Sequence, residues 1–185
     1  MQKAFFQNGK FFAYTVLHKF QRSGRRFLVA AESSQDSRKS EKKRASSRCI
    51  GRTKGGLNTK LHAVCDALGR PIRTLLTAGP VSDYAGAAYL LPGLPSASAL
   101  LADRGYDASW IRKHLKSQNC TPCIPARKNT RSQDNYDKKL YCQRHKIENM
   151  FARLKDWRRI AMRYDRCAHT FLSAIHIAAI VIFYL

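Results

Sequence analysis

Acidic residues are scarce in this chain. Twelve Asp and Glu stand against 34 Lys and Arg, a formal net charge of +22. The imbalance exceeds what solubility requires and points to a polyanionic partner, nucleic acid first. An acidic membrane surface ranks second, because the bases are spread along the chain instead of forming one basic amphipathic helix. Long apolar runs are also missing. The longest, Phe171 to Leu185, has fifteen residues and includes His176; it is too short for a comfortable membrane span and reads as a buried helix. The opening MQKAFFQNGKFF lacks the apolar stretch of a secretory signal. The six cysteines (Cys49, Cys65, Cys120, Cys123, Cys142 and Cys167) are therefore read as reduced thiols of a cytosolic compartment. Cys120 and Cys123 have CxxC spacing, but with no second CxxC and no paired histidines, structural zinc or redox chemistry is the minor reading there. Gly51 to Lys60, GRTKGGLNTK, lacks the spacing of a phosphate loop and precedes a strand, which excludes nucleotide binding. Its glycines and bases fit a loop that approaches a DNA backbone, or a plain solvated turn.

With 185 residues, 44% of them hydrophobic, the chain can bury one sizeable core. One domain plus an irregular extension is the natural expectation. Residues 1–48 mix aromatics and bases without a sustained period; only Phe27 to Ala31, FLVAA, reads as a strand, and Glu32 to Arg48 reads as a charged, Ser-rich loop. From Ile50 the pattern becomes regular. Lys60 to Asp66 and Ile72 to Gly79 flank the turn signal ALGRP and predict an antiparallel hairpin. Asp83 is placed to cap a helix from Tyr84 to Leu91, which Pro92 and Gly93 end. Ser98 to Asp107 reads as a buried strand delivering Asp103 to a sheet edge, followed by a helix from Asp107 to Gln118 and a strand in CTPCIPA. A basic loop, Ala126 to Lys139, then leads to a long helix and a final apolar one. Hairpin, helix, strand, helix, strand, helix is the order of an α/β fold, a mixed sheet with helices on its faces. In such sheets functional groups gather at strand C-termini, where Asp103 stands.

The long helix, Tyr141 to Lys155, carries one acid among many bases. At helical period Tyr141, Arg144, Glu148 and Lys155 share roughly a 60° arc. Ile147, Met150, Phe151 and Leu154 form a neighbouring apolar face, so Glu148 sits at the rim of the buried side. On spacing alone, Arg144 and Glu148 also fit an ordinary surface ion pair four residues apart. Asp103, taken alone, equally fits a capping or turn residue before Gly105.

The segments GRTKGGLNTKLHAVCDALGRP, LLADRGYD, CIPARKN and YCQRHKIENMFARLKDWRRIAMRYD resemble the catalytic domain of bacterial insertion-sequence transposases of the DDE type, in the insertion sequence five family. The likeness spans about residues 50–180 and includes Tyr141, Arg144, Glu148 and Lys155 at the family's signature spacing. It implies a ribonuclease-H-like fold, a mixed sheet flanked by helices, which needs one further strand before the hairpin. The domain division that follows is 1–48, irregular and basic and foreign to the family pattern, and 49–185, the catalytic domain. By the resemblance Asp103 is the second acid of a catalytic triad and Glu148 the third, both metal ligands. Arg144 and Lys155 would contact DNA phosphates, and Tyr141 would orient the DNA end.

Phosphodiester cleavage and strand transfer need an activated oxygen nucleophile, charge stabilisation at phosphorus and help for the leaving 3′ oxygen. Divalent cations, Mg²⁺ or Mn²⁺, supply all three and are held by carboxylates. The implied partners are DNA, as element ends and target, and a second copy of the chain or a companion upstream polypeptide; no membrane is involved. The implied setting is a bacterial cytoplasm, at the nucleoid. Upstream the chain departs from the family. The first acid normally ends the first strand, yet the only upstream acids with any such context are Asp36, inside a charged stretch, and Glu32, after FLVAA. The expectation is therefore an incomplete copy of a transposase catalytic domain. A basic DNA-binding protein without catalysis and a nuclease of the same fold are the competing readings.

Overall fold

The computed structural model describes residues 12–21, 48–54, 56–127 and 136–185. Six strands follow in the order β1 (Phe12–Gln21), β2 (Gly51–Thr53), β3 (Gly56–Cys65), β4 (Pro71–Ala78), β5 (Ala99–Ala102) and β6 (Thr121–Cys123). The helices are α1 (Asp83–Leu90), α2 (Ser109–Ser117), α3 (Lys138–Cys142), α4 (His145–Lys155), α5 (Arg158–Ala161) and α6 (Ala168–Phe183), with a 3-10 turn at Arg104–Tyr106. The hydrogen-bonded strand order is β2-β3-β1-β5-β6, and β4 pairs with β3 off this path. β1 runs parallel to β5 and β5 parallel to β6, whereas β2 is antiparallel to β3. The α/β class and the mixed sheet read from the sequence are thus observed. Phe27 to Ala31, Glu32 and Asp36 lie outside the described residues, as does most of the basic loop after Arg127. β1 forms from Phe12–Gln21, where no strand pattern is legible.

The described chain divides into two compact units. The first holds β5, β6, α1, α2, α3 and the start of α4. β5 is buried at all four positions, as a strand between two parallel neighbours must be, which is why it reads as the unbroken apolar run ALLA. Its core continues through Leu90, Tyr106, Ile111, Ile124, Ile147 and Met150. Asp66 closes the β3–β4 turn: its Oδ1 accepts from the Leu68 and Arg70 amides, and its Oδ2 accepts from Arg70 Nε at 2.7 Å. Five residues between the strands leave no room for a parallel crossover, so this is the predicted antiparallel hairpin. Lys146 Nζ donates to Ala67 O at 2.7 Å, tying the turn to the first turn of α4.

The second unit is built around the β2–β3 hairpin, α5 and α6. The GRTKGG segment, read from the sequence as a loop, is mostly strand; Asn58 pairs with Gly51 and Gly56 with Thr53. β3 buries Asn58, Thr59, Lys60 and His62 as well as Leu61. These polar groups find local partners: Thr59 Oγ1 donates to Cys49 O, Lys60 Nζ donates to Val81 O, and His62 Nε2 lies 2.8 Å from Thr77 Oγ1. Arg163, 3% exposed, donates to the carbonyls of Arg48 and Cys49 and stacks on Phe171. α6 departs from the buried helix expected of it. Phe171, Ile175 and Ala178 are buried, but Ile177, Ile180 and Val181 are about half exposed, so one face only is covered. Among the described residues no helix is long and apolar enough to cross a membrane.

Candidate active site

All the contacts that gather around Asp103 lie in the first unit. Asp103 follows the last residue of β5, at the N-cap position of the 3-10 turn, with its carbonyl accepting from the Tyr106 amide. Its carboxylate makes no cap hydrogen bond. Turned away from its own backbone, Oδ1 accepts from Tyr141 Oη at 3.3 Å and lies 3.7 Å from Arg144 Nη1. This geometry decides against the simple capping role.

The continuous helix expected from Tyr141 to Lys155 is broken. α3 ends at Cys142 and α4 starts at His145, with Gln143 and Arg144 in a turn. His145 Nδ1 lies 2.8 Å from Cys142 O, the carbonyl that a continuous helix would give to the Lys146 amide. That amide bonds to Gln143 O instead, and the Arg144 and Ile147 amides likewise bond three residues back. The break leaves the predicted grouping intact for three of the four residues. Arg144 Nη2 donates to Glu148 Oε1 at 2.6 Å while Nη1 faces Asp103, so one guanidinium bridges the two carboxylates. Lys155 is the last residue of α4, about 10 Å of helical rise beyond Glu148; burial lowers its pKa. The predicted apolar face is as expected: Ile147, Met150, Phe151 and Leu154 are at most 1% exposed.

Tyr141 is a proton donor, not a base. Burial, and less strongly the Asp103 carboxylate, push its phenol up to about 12 against the opposing pull of Arg144. Tyr106, the last residue of the turn, is pushed up further by burial and by Asp83 and Asp103. Asp83 is the first residue of α1, one position inside the cap expected of it, and its carboxylate abuts the turn: a Cβ on Gly105 would lie 2.7 Å from Oδ2.

A second set of residues holds the loop after Asp103, and sequence reasoning assigned none of them. Asp107 Oδ1 pairs with Arg112 at 2.9 Å, and Arg112 also donates to Ile124 O. Asp107 Oδ2 accepts from the Arg127 amide, and the Arg127 side chain donates to the carbonyls of Arg104 and Gly105 while covering the Tyr84 ring. The legible signal was the presence of Asp107 and Arg127 in the two family-like segments LLADRGYD and CIPARKN; Arg112 lies in neither.

Asp103 and Glu148 are both about half exposed and both face one cation, a donor set that suits a hard divalent ion. Among the described residues no third His, Cys, Asp or Glu completes a metal-binding group of three. Strand β1 runs beside β5 with Thr15 paired to Ala102, so Val16 is the next register position, level with Asp103. The β1 sequence, FAYTVLHKFQ, contains no carboxylate.

A family model described as a transposase DDE domain matches residues 25–183. The chain belongs to the transposase DDE domain family. It is 38% identical over 127 residues to a protein of Brucella ovis assigned as a transposase for insertion sequence element IS6501, covering 68% of this chain and 98% of that relative. A protein of Burkholderia cepacia assigned as a transposase for insertion sequence element IS402 is 30% identical over 141 residues, covering 66% of this chain and 64% of that relative. The DDE domain makes this a transposase chain, with DNA as its partner and divalent metal ions as the family's general cofactor.

Proposed function

We propose that this transposase domain handles insertion-element ends through metal-dependent cleavage and strand transfer, with Asp103 and Glu148 holding the cation. The observation that carries this reading is the convergence of Asp103 and Glu148 on one guanidinium, Asp103 having forgone its own cap. A divalent ion so held would activate the attacking oxygen and neutralise charge at phosphorus. Tyr141 donates a hydrogen bond to Asp103 Oδ1 and keeps that carboxylate aimed out of the turn. Arg144 is positioned to contact a DNA phosphate beside the acids, and Lys155 to contact one further along α4. Mg²⁺ and Mn²⁺ both suit the two carboxylates.

The finer fold is ribonuclease-H-like, supported by an antiparallel hairpin followed by parallel β5 and β6, with β1 as a strand before the hairpin, which the resemblance requires. Membership in the insertion sequence five family rests on the motif spacing. The working assembly contains a second copy or a companion polypeptide, in the cytoplasm at the nucleoid. The absence of an acid from β1 favours a specific second reading, an incomplete copy that binds DNA without cutting it unless a partner supplies the first acid.

The test is Mg²⁺-dependent cleavage of DNA carrying terminal inverted repeats, comparing wild type with Asp103→Ala and Glu148→Ala. Cutting lost in both variants supports the catalytic reading. Equal cutting by all three proteins overturns the assignment of these acids, and salt-sensitive binding without any cutting selects the incomplete copy.

A further inference from the structure

We infer that Arg144 is a displaceable stand-in for the metal, and that its release couples metal binding to DNA binding. This rests on the metal-site reading of Asp103 and Glu148 given above. Arg144 spends both ends of its guanidinium on the two acids, Nη2 on Glu148 and Nη1 towards Asp103. In that state it neutralises the acids and has little left for a phosphate. A divalent cation and the guanidinium compete for the same carboxylate oxygens, so a bound cation frees the side chain.

Three features suit Arg144 to such an exchange. Its partners are half exposed, which keeps the ion pairs cheap to break. Its Asp103 contact is long at 3.7 Å. Its backbone lies in the turn between α3 and α4, where the helical ladder is already interrupted, and its guanidinium also rests 5.7 Å from the Tyr141 ring centre. That ring gives the freed side chain a surface to slide on without leaving the site. In the free protein the arrangement suppresses metal affinity. Where metal and DNA are both present, each raises the affinity of the other by one common factor, because linkage is reciprocal.

The test uses the full chain with Mn²⁺ as the metal probe, read by calorimetry, and a fluorescein-labelled duplex read by anisotropy. Arg144→Gln is expected to bind Mn²⁺ about 10-fold tighter than wild type, with Arg144→Lys in between because lysine keeps the charge without the fork. Wild-type affinity for the duplex is expected to rise when Mn²⁺ is added, and the rise to vanish in Arg144→Gln and in Asp103→Asn. Equal Mn²⁺ affinity in wild type, Arg144→Gln and Arg144→Lys, with binding lost in Asp103→Asn, overturns the exchange but leaves the metal site standing. Mn²⁺ binding that is unaffected by Asp103→Asn and Glu148→Gln, or absent throughout, overturns the metal site and the exchange together.

Discussion

Two Asp–Arg pairs stand four residues apart on either side of the same turn. Asp107 and Arg112 are nearly buried, with side chains 8% and 11% exposed, and every nearby donor is used: Arg112 on Asp107 and Ile124 O, the Arg127 amide on Asp107. Asp103 and Arg144 are 46% and 22% exposed, 3.7 Å apart, and share the arginine with Glu148. The first pair is saturated and closed to solvent, as a brace must be. The second is open and long, which suits the site proposed for it. The same two residue types thus do opposite work, and burial with partner count separates them where sequence does not.

The comparison breaks most sharply at the brace. Arg112→Ala leaves the Asp107 carboxylate without its main partner and should cost about 3 kcal/mol of folding stability, measured by urea denaturation. A loss no greater than that of a surface change would put the pair with the exposed class. Gly105→Ala comes next. The new methyl meets Asp83 Oδ2, and about 1–2 kcal/mol is expected from the same measurement, with β5 and its turn displaced.

Tyr141→Phe removes one long hydrogen bond and should cost no more than about 0.5 kcal/mol at neutral pH. Its pH dependence is the sharper readout. The folded phenol holds its proton to about 12, above its ordinary value near 10, so the stability it contributes is complete below pH 10 and is lost as pH rises towards 12. Replacement by Phe should flatten that alkaline loss; an identical alkaline profile would contradict the burial assigned to Tyr141. Glu148→Gln should change stability least, by under about 0.5 kcal/mol, because the pair it breaks is solvent-exposed. Under the proposed function it should nevertheless remove metal-dependent cutting, and a large loss of stability instead would make Glu148 part of the brace.

The placement of both acids was legible in the sequence, but their pairing came only from the family resemblance. ALLA reads as a strand buried on both faces with Asp103 directly after it. The apolar neighbours of Glu148 repeat at helical spacing, which alone fits a surface ion pair equally well. The helix break, at which the His145 ring lies against the Cys142 carbonyl, was not legible, because it leaves the three- and four-residue spacing unchanged. Nor was β1. FAYTVLHKFQ mixes apolar, polar and basic residues, and its place beside β5 comes from long-range pairing that no local period reports. The Asp107, Arg112 and Arg127 brace was hidden for a similar reason, with partners up to twenty residues apart. α6 misled in the other direction: with no charged residue to mark its outer face, composition alone could not show that only one side is covered.

The Lys146 to Ala67 bond makes the β3–β4 turn a fixed mount for the helix that carries Glu148. Gly69 belongs to the same mount, at φ +82 and placed so that a Cβ there would lie 3.2 Å from the Lys146 carbonyl oxygen. For protein engineering, this short turn, of whose five residues only Leu68 is exposed, is therefore a poor place for an inserted tag, a reporter loop or new chain termini, although a tight hairpin turn invites all three. An insertion there would leave both strands paired and still release the helix from its anchor, separating a well-folded protein from a working one.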